Sequence, residues 1–207
     1  MPKAGLSHDV VIQTAAQVSD EVGWEKLHLA LVADRLSVTL PALYKHIGSL
    51  EGLRHDVALL ALAELEEALR SAVAQTSGRE ALYALAHAFR SYERSHPGRY
   101  AATVRVPAPN DGEHAAATRA VQRVVYATLE GYGLAGRDAA DGVRTVRAVL
   151  HGFVALEAAG GFGTAQDVDR TFRRLIEALD SALGHWAQSS RHGHLLGPEL
   201  PGRAPEA

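Results

Sequence analysis

The stretch from Gly23 to Leu53, GWEKLHLALVADRLSVTLPALYKHIGSLEGL, constrains this chain more than any other. Leu29, Val32, Ala33 and Leu36 recur at helical spacing and define one apolar face, which Ser37-Val38 interrupts. Thr39 then stands where an N-cap hydroxyl accepts a backbone N–H. Pro41 falls in a first turn, where its missing donor does no harm, and Leu43, Tyr44 and Ile47 supply the next apolar face. Two short helices joined by a tight turn have the geometry that lays the second in a DNA major groove while the first crosses the backbone. In that docking Leu40, Pro41 and Ala42 come nearest the base edges, and Thr39, Tyr44, Lys45 and His46 meet phosphates.

The segment from Leu36 to Leu53, LSVTLPALYKHIGSLEGL, resembles the recognition region of the TetR family of bacterial transcription regulators, which commonly reads like LGVSxxALYxHFxxKexL. The agreement covers Leu36, Val38, Ala42, Leu43, Tyr44, His46, Glu51 and Leu53. Three positions depart from the pattern. Ser37 replaces the usual turn glycine, His28 replaces the usual Thr or Ser ahead of the first helix, and Leu50 replaces a lysine, which removes a phosphate contact.

Charge argues for DNA less well than the motif does. In residues 1 to 54, Lys3, Lys26, Arg35, Lys45 and Arg54 stand against Asp9, Asp20, Glu21, Glu25, Asp34 and Glu51, a net of −1. Phosphate-dominated binders usually carry a cationic stripe, because displaced counterions supply much of the affinity. The module is therefore expected to bind weakly as a single copy and to depend on a dimer. The alternative is a helical small-molecule-binding protein that has lost DNA binding.

The rest of the sequence reads as helix throughout, so the fold class is all-α: an N-terminal three-helix DNA-binding domain followed by a C-terminal helical bundle. Residues 8 to 22 carry Val11, Ala15, Val18 and Val22 at the helical period, between Ser7 and Gly23. The run from Glu51 to about Gln75 is a rigid connection rich in Ala, Leu and Glu. Further helices are expected over 79–95, ended by Pro97-Gly98, and over 113–132, 138–159 and 167–186. The expected units are 1–50 for DNA, 51–187 for ligand binding and dimerisation, and a polar, Gly- and Pro-rich tail over 188–207. Hydrophobic residues make up 47% of the 207, enough to bury a sizeable core. There is no cysteine, which excludes disulfides, thiolate metal sites and thiol catalysis. No apolar run approaches the roughly 18 residues of a membrane span. The N-terminus MPKAGLSHDVV also lacks a signal-peptide core, so a cytoplasmic location is expected.

The stretch RTVRAVLHGFVALEAAGGFGTAQDVDRTF, Arg144 to Phe172, is similar to the C-terminal domain of a TetR subgroup named for a Trp-His-Gly motif, which stands here as Leu150-His151-Gly152. Tyr92 to Tyr100 (YERSHPGRY) and Leu129 to Leu134 (LEGYGL) resemble it too, so the likeness spans about residues 7 to 187. It implies a homodimer that pairs its last two helices into a four-helix bundle, a small-molecule effector enclosed by the upstream helices, and an inverted-repeat operator on double-stranded DNA. Apolar stripes nominate Val146, Leu150 and Phe153 with Phe172, Leu175, Leu179 and Leu183 for the dimer interface, beside small residues at Ala155, Ala158, Ala159 and Gly160. Phe89, Tyr92, Tyr100, Val104 and Tyr126 are candidates to line the pocket. Arg147 or His151 is its polar anchor, although a histidine on an apolar face is more often structural.

No enzyme, metal or cofactor chemistry is expected. Two Glu-x-x-His pairs occur, Glu25 with His28 and Glu93 with His96, a spacing that serves di-iron sites in helical bundles. Among 11 histidines, chance accounts for them. Gly160-Gly161-Phe162-Gly163 lacks the Lys and Ser/Thr of a phosphate loop and reads instead as a helix stop with Phe162 tucked back as a plug. Arg191 to His194, RHGH, is a tail sequence of weak metal affinity at most.

Overall fold

A computed structural model describes residues 6–106, 108–163 and 167–191. Every regular element among them is helical. Helix α1 (His8–Val22) starts at Ser7, whose hydroxyl accepts from Val10 N. A single 3-10 turn (Trp24–Lys26) leads into α2 (Leu29–Leu36), and α3 is the short Leu40–Leu43. There follow α4 (Leu50–Val73), α5 (Gly78–Ser95), α6 (Pro97–Thr103), α7 (Gly112–Glu130), α8 (Gly136–Ala158) and α9 (Val168–Arg191).

Two of these differ from the sequence reading. Pro97 does end α5, but it also begins α6, because a proline at N1 gives up no needed donor and is already set at helical φ. Helix α9 continues past Trp186 to Arg191, so the helix reaches beyond the expected start of the tail at 188. Residues 192–207, with most of the RHGH sequence, lie outside the described residues.

Buried side chains form two separate clusters, and α4 belongs to both. Its first half gives Leu53, Val57, Ala58 and Ala61 to an N-terminal core shared with Val11, Ala15, Val32, Leu43 and Ile47. Its second half gives Leu65 and Leu69 to the larger core of α5 to α9. The hydrophobic core of the N-terminal unit thus runs about three turns beyond residue 50.

Short α6 closes the joint between the units. It packs on α1 so tightly at Gly98 that a Cβ there would overlap the Ser19 carbonyl. Next to it, Arg99 Nε donates to Asp20 Oδ2 of α1 at 2.8 Å and Nη1 to Glu64 Oε2 of α4 at 2.9 Å. A second tie joins α4 to the start of α7, where His55 Nε2 lies 3.0 Å from Asp111, the N-cap residue of α7.

The apolar stripes of α8 and α9 face inward. Val146, Leu150, Phe153, Phe172, Leu179 and Leu183 are all buried in the chain's own core, and Leu175 is half-buried against it. For all of these but Leu175 this corrects the expected dimer seam: an amphipathic stripe shows that a face is buried, not what buries it, and here α5 and α7 supply covering surface. Phe172 lies 4.8 Å from Phe153 and 5.3 Å from His87, ring centre to ring centre. Buried Arg90 of α5 sits over both phenylalanines, donates from Nε to Glu157 of α8 at 2.7 Å and pairs with Asp169 of α9 at 2.7 Å. Phe162 folds back onto Phe153, and Gly160, at φ 66°, turns the chain out of α8.

Candidate DNA-binding face and ligand cavity

Leu43 of α3 and Ile47, past the turn that follows it, are buried and hold the short helix on the N-terminal core. The other side stands free: Thr39, Leu40, Pro41, Tyr44 and Lys45 are exposed, and Ala42 and His46 half-exposed. Thr39 accepts from Ala42 N at 3.4 Å, so its hydroxyl is used in part to start the helix.

The three departures from the TetR pattern each have a structural consequence. Ser37 adopts φ 55°, ψ 43°, the left-handed conformation for which glycine is favoured. His28 precedes α2 without a side-chain cap. Leu50 packs against the N-terminal core instead of reaching outward.

Several of the module's acids are neutralised by partners. Arg35 pairs with Glu21 within the module, while Arg99 pairs with Asp20, and Arg105 with Glu51 at 2.9 Å, from outside it. Arg105 was not singled out in the sequence, because the pairing spans 54 positions. The negative sum over residues 1 to 54 therefore overstates the charge that DNA would meet.

The second site is a cavity of about 340 Å³ between α4, α5, α6, α7 and α8. Its wall is mostly Leu and Val with Phe89, and it is polar only at Tyr100, Thr103, Thr118, Gln122, Arg144, Arg147 and His151. Of the seven residues nominated from sequence, Phe89, Tyr100, Val104, Arg147 and His151 lie on this wall. The other two lie elsewhere. Tyr92 turns its hydroxyl to α4, donating to the Ala61 carbonyl at 3.1 Å, and Tyr126 sits on the exposed side of α7 while Gln122 and Val125 face the cavity. The sequence reading passed over Leu62, Leu65 and Leu69 of α4 and Thr118 and Val121 of α7. Their spacing signals a buried face, but nothing in it tells a filled core from a hollow one.

His151 is both structural and cavity-facing: its Nδ1 shares a 2.6 Å hydrogen bond with the Tyr100 hydroxyl. Burial pushes the Tyr100 phenol above its ordinary pKa, so it keeps its proton. Among the described residues no three His, Asp or Glu side chains are grouped as a metal would need. Nor is any described helix long and apolar enough to cross a membrane.

A family profile described as a tetracyclin repressor-like C-terminal domain matches residues 82–179. Over 181 residues, 87% of this chain and 83% of the relative, the sequence is 34% identical to the HTH-type transcriptional regulator Rv0681 of Mycobacterium tuberculosis. The chain belongs to the TetR family of transcriptional regulators. The HTH-type transcriptional regulator YobS of Bacillus subtilis is 27% identical over 88% of this chain and 95% of its own. Among solved structures, a TetR variant from Acinetobacter baumannii AYE in complex with minocycline superposes with a TM-score of 0.61, covering 90% of this chain and 98% of that one at 24% identity, a likeness of fold. As in its TetR relatives, the helix-turn-helix marks this chain as a DNA-binding regulator of transcription.

Proposed function

We propose that this TetR-family protein is a homodimeric repressor that holds an inverted-repeat operator and lets go when a small molecule enters the cavity. One observation carries the reading: α4 and α6 each serve both sites. Leu62, Leu65 and Leu69 of α4 line the cavity, while Leu53 and Val57 of the same helix anchor the DNA-binding unit. Tyr100 and Thr103 of α6 line it, while Gly98 and Arg99 dock on α1. A ligand that fits better when α4 and α6 are displaced selects a form in which the two α3 helices no longer match successive major grooves. Those grooves lie about 34–36 Å apart.

Since the inward stripes are taken up by the core, dimerisation falls to the outward faces of α8 and α9, which pack side by side. Val149, Gly152 and Leu156 on α8, and Leu175, Ala178 and Ala182 on α9, recur at three- and four-residue spacing. They are small or apolar and at least partly exposed. Small residues let helices approach closely across a two-fold axis.

A gel-shift assay on the DNA upstream of the protein's own coding sequence tests the reading. Wild type should shift it, Lys45→Ala should weaken binding and reduce the salt slope by about one unit, and Ala178→Arg should give a folded monomer that binds poorly. No shift with wild type would leave a helical ligand-binding protein without a DNA partner.

A further inference from the structure

We infer that the cavity takes a lipophilic acid, with the apolar body inside and the carboxylate on Arg147. The inference rests on the ligand-gated reading above and adds the chemical class. Its first support is the charge of the wall. The charged side chains lining the cavity are Arg144 and Arg147, and no Asp or Glu joins them, so a cationic ligand would meet repulsion and no counter-charge.

The two arginines are not equivalent. Arg144 is engaged one turn back by Asp141 at 3.1 Å. Arg147 makes no ion pair among the described residues, although it lies on the wall and is exposed to solvent. A planar guanidinium without a partner at the rim of an apolar cavity is suited to take a carboxylate through two parallel hydrogen bonds.

A second, independent feature lies deeper. Thr118 Oγ1 is buried on the cavity wall with no hydrogen-bond partner, although a helical threonine can usually donate to the carbonyl four residues back, as Thr128 does to Val124. A buried hydroxyl without a partner is destabilising, and a ligand oxygen would satisfy it. Leu65, Leu69, Phe89, Val121 and Val125 leave the rest of the ligand nothing but apolar surface.

The test uses the full chain and three probes with one tail: decanoate, decanol and decylamine, titrated by calorimetry at about pH 8, where the acid is ionised and the amine protonated. Decanoate should bind about tenfold more tightly than decylammonium. Arg147→Met should weaken decanoate about tenfold and leave decanol unchanged, and Arg147→Lys should restore part of the loss. Since Arg147 is exposed, these variants should fold. The inference is overturned if decylammonium binds as well as decanoate, if Arg147→Met leaves the preference intact, or if none of the probes binds. The operator shift run alongside separates the two claims. DNA binding without acid binding sinks the acid class alone, whereas acid binding that never releases DNA keeps the class and sinks ligand gating.

Discussion

The two cores strung along α4 are built from different side chains. The N-terminal core is richer in short ones, with Val11, Ala15, Ala16, Val18, Val32, Ala33, Val57, Ala58 and Ala61 beside Trp24, Leu27, Leu29, Leu43, Ile47 and Leu53. The C-terminal core uses long and aromatic ones, among them Leu65, Leu69, Leu82, Leu85, Phe89, Tyr100, Phe153 and Phe172, and beside them about 340 Å³ stays open. Short side chains let helices approach closely, because interaxial distance is set by the residues at the contact. That suits a reading head whose α3 must be held rigidly. Long side chains hold helices apart and depend on a few keystones, which suits a chamber that must admit a guest.

Truncating a keystone is the severest trial of this contrast. Phe172 is fully buried between Phe153, His87 and Arg90, so Phe172→Ala should cost about 3–5 kcal/mol. In the N-terminal core Val57→Ala, equally buried, removes only two carbons and should cost about 1.5 kcal/mol. Urea unfolding of the two variants decides. Equal losses would mean that the cores are built alike.

Next in size is the joint. Gly98→Ala places a methyl on the backbone of Ser19 and Asp20, which cannot turn aside as a side chain could, and should cost about 1–3 kcal/mol. If α6 transmits the cavity's state to α1, the same variant should also change how far ligand shifts operator affinity. A variant with wild-type stability would show that the α1–α6 approach is looser than this packing implies.

How much of each region is legible in the sequence follows from the same contrast. The N-terminal unit is written locally: Ser7, Thr39 and Ser49 each cap the helix that follows within three residues, so motif and cap coincide. The C-terminal helices were readable as helices, and Phe162 as a plug, because period and Gly160 are local too. Which face meets which neighbour was not readable. The stripe Phe172, Leu179, Leu183 is apolar whether covered by a second copy or by α5, and Arg90, which sits over Phe172, lies about 80 positions upstream in a sequence that marks it only as a polar residue. Five of the seven nominated pocket residues lie on the wall, but nothing local separates Tyr100, which faces the cavity, from Tyr92, which turns to α4, or from the exposed Tyr126; only tertiary packing does.

The His55–Asp111 tie across the two regions should give stability a pH dependence with two limbs. Burial pulls the His55 pKa down, but the hydrogen bonds that the ring donates to Asp111 and Asp56 outweigh it and leave the pKa above the ordinary value. Its contribution is therefore fully present below about pH 6.5 and is lost as pH rises through the raised pKa. His114, beside the same Asp111, goes the other way. Burial lowers its pKa, so its contribution is present above about pH 6.5 and is lost as pH falls through the lowered value. The His55 limb should be about 1 kcal/mol or less, as for a partly exposed pair. In thermal melts across pH, His55→Gln should flatten the alkaline limb and His114→Asn the acid one. An unchanged alkaline limb in His55→Gln would free the α4–α7 tie from this histidine.

The smallest effect tests whether the N-terminal unit is as well fitted as its short side chains suggest. Ser37 is the one non-glycine residue with positive φ among the described residues, at the turn between α2 and α3. Left-handed backbone costs an L-residue about 1–2 kcal/mol, and glycine avoids that strain. Glycine also gives the unfolded chain more freedom, which takes back about 0.5–1 kcal/mol. The strain term is the larger, so Ser37→Gly should raise stability by about 0.5 kcal/mol, visible as a small increase in Tm with operator affinity unchanged, since Ser37 lies outside α3. A fall in Tm would mean that the serine side chain stabilises the turn by more than the strain it imposes, and the reading head would then owe its fit to a polar contact as well as to short apolar packing.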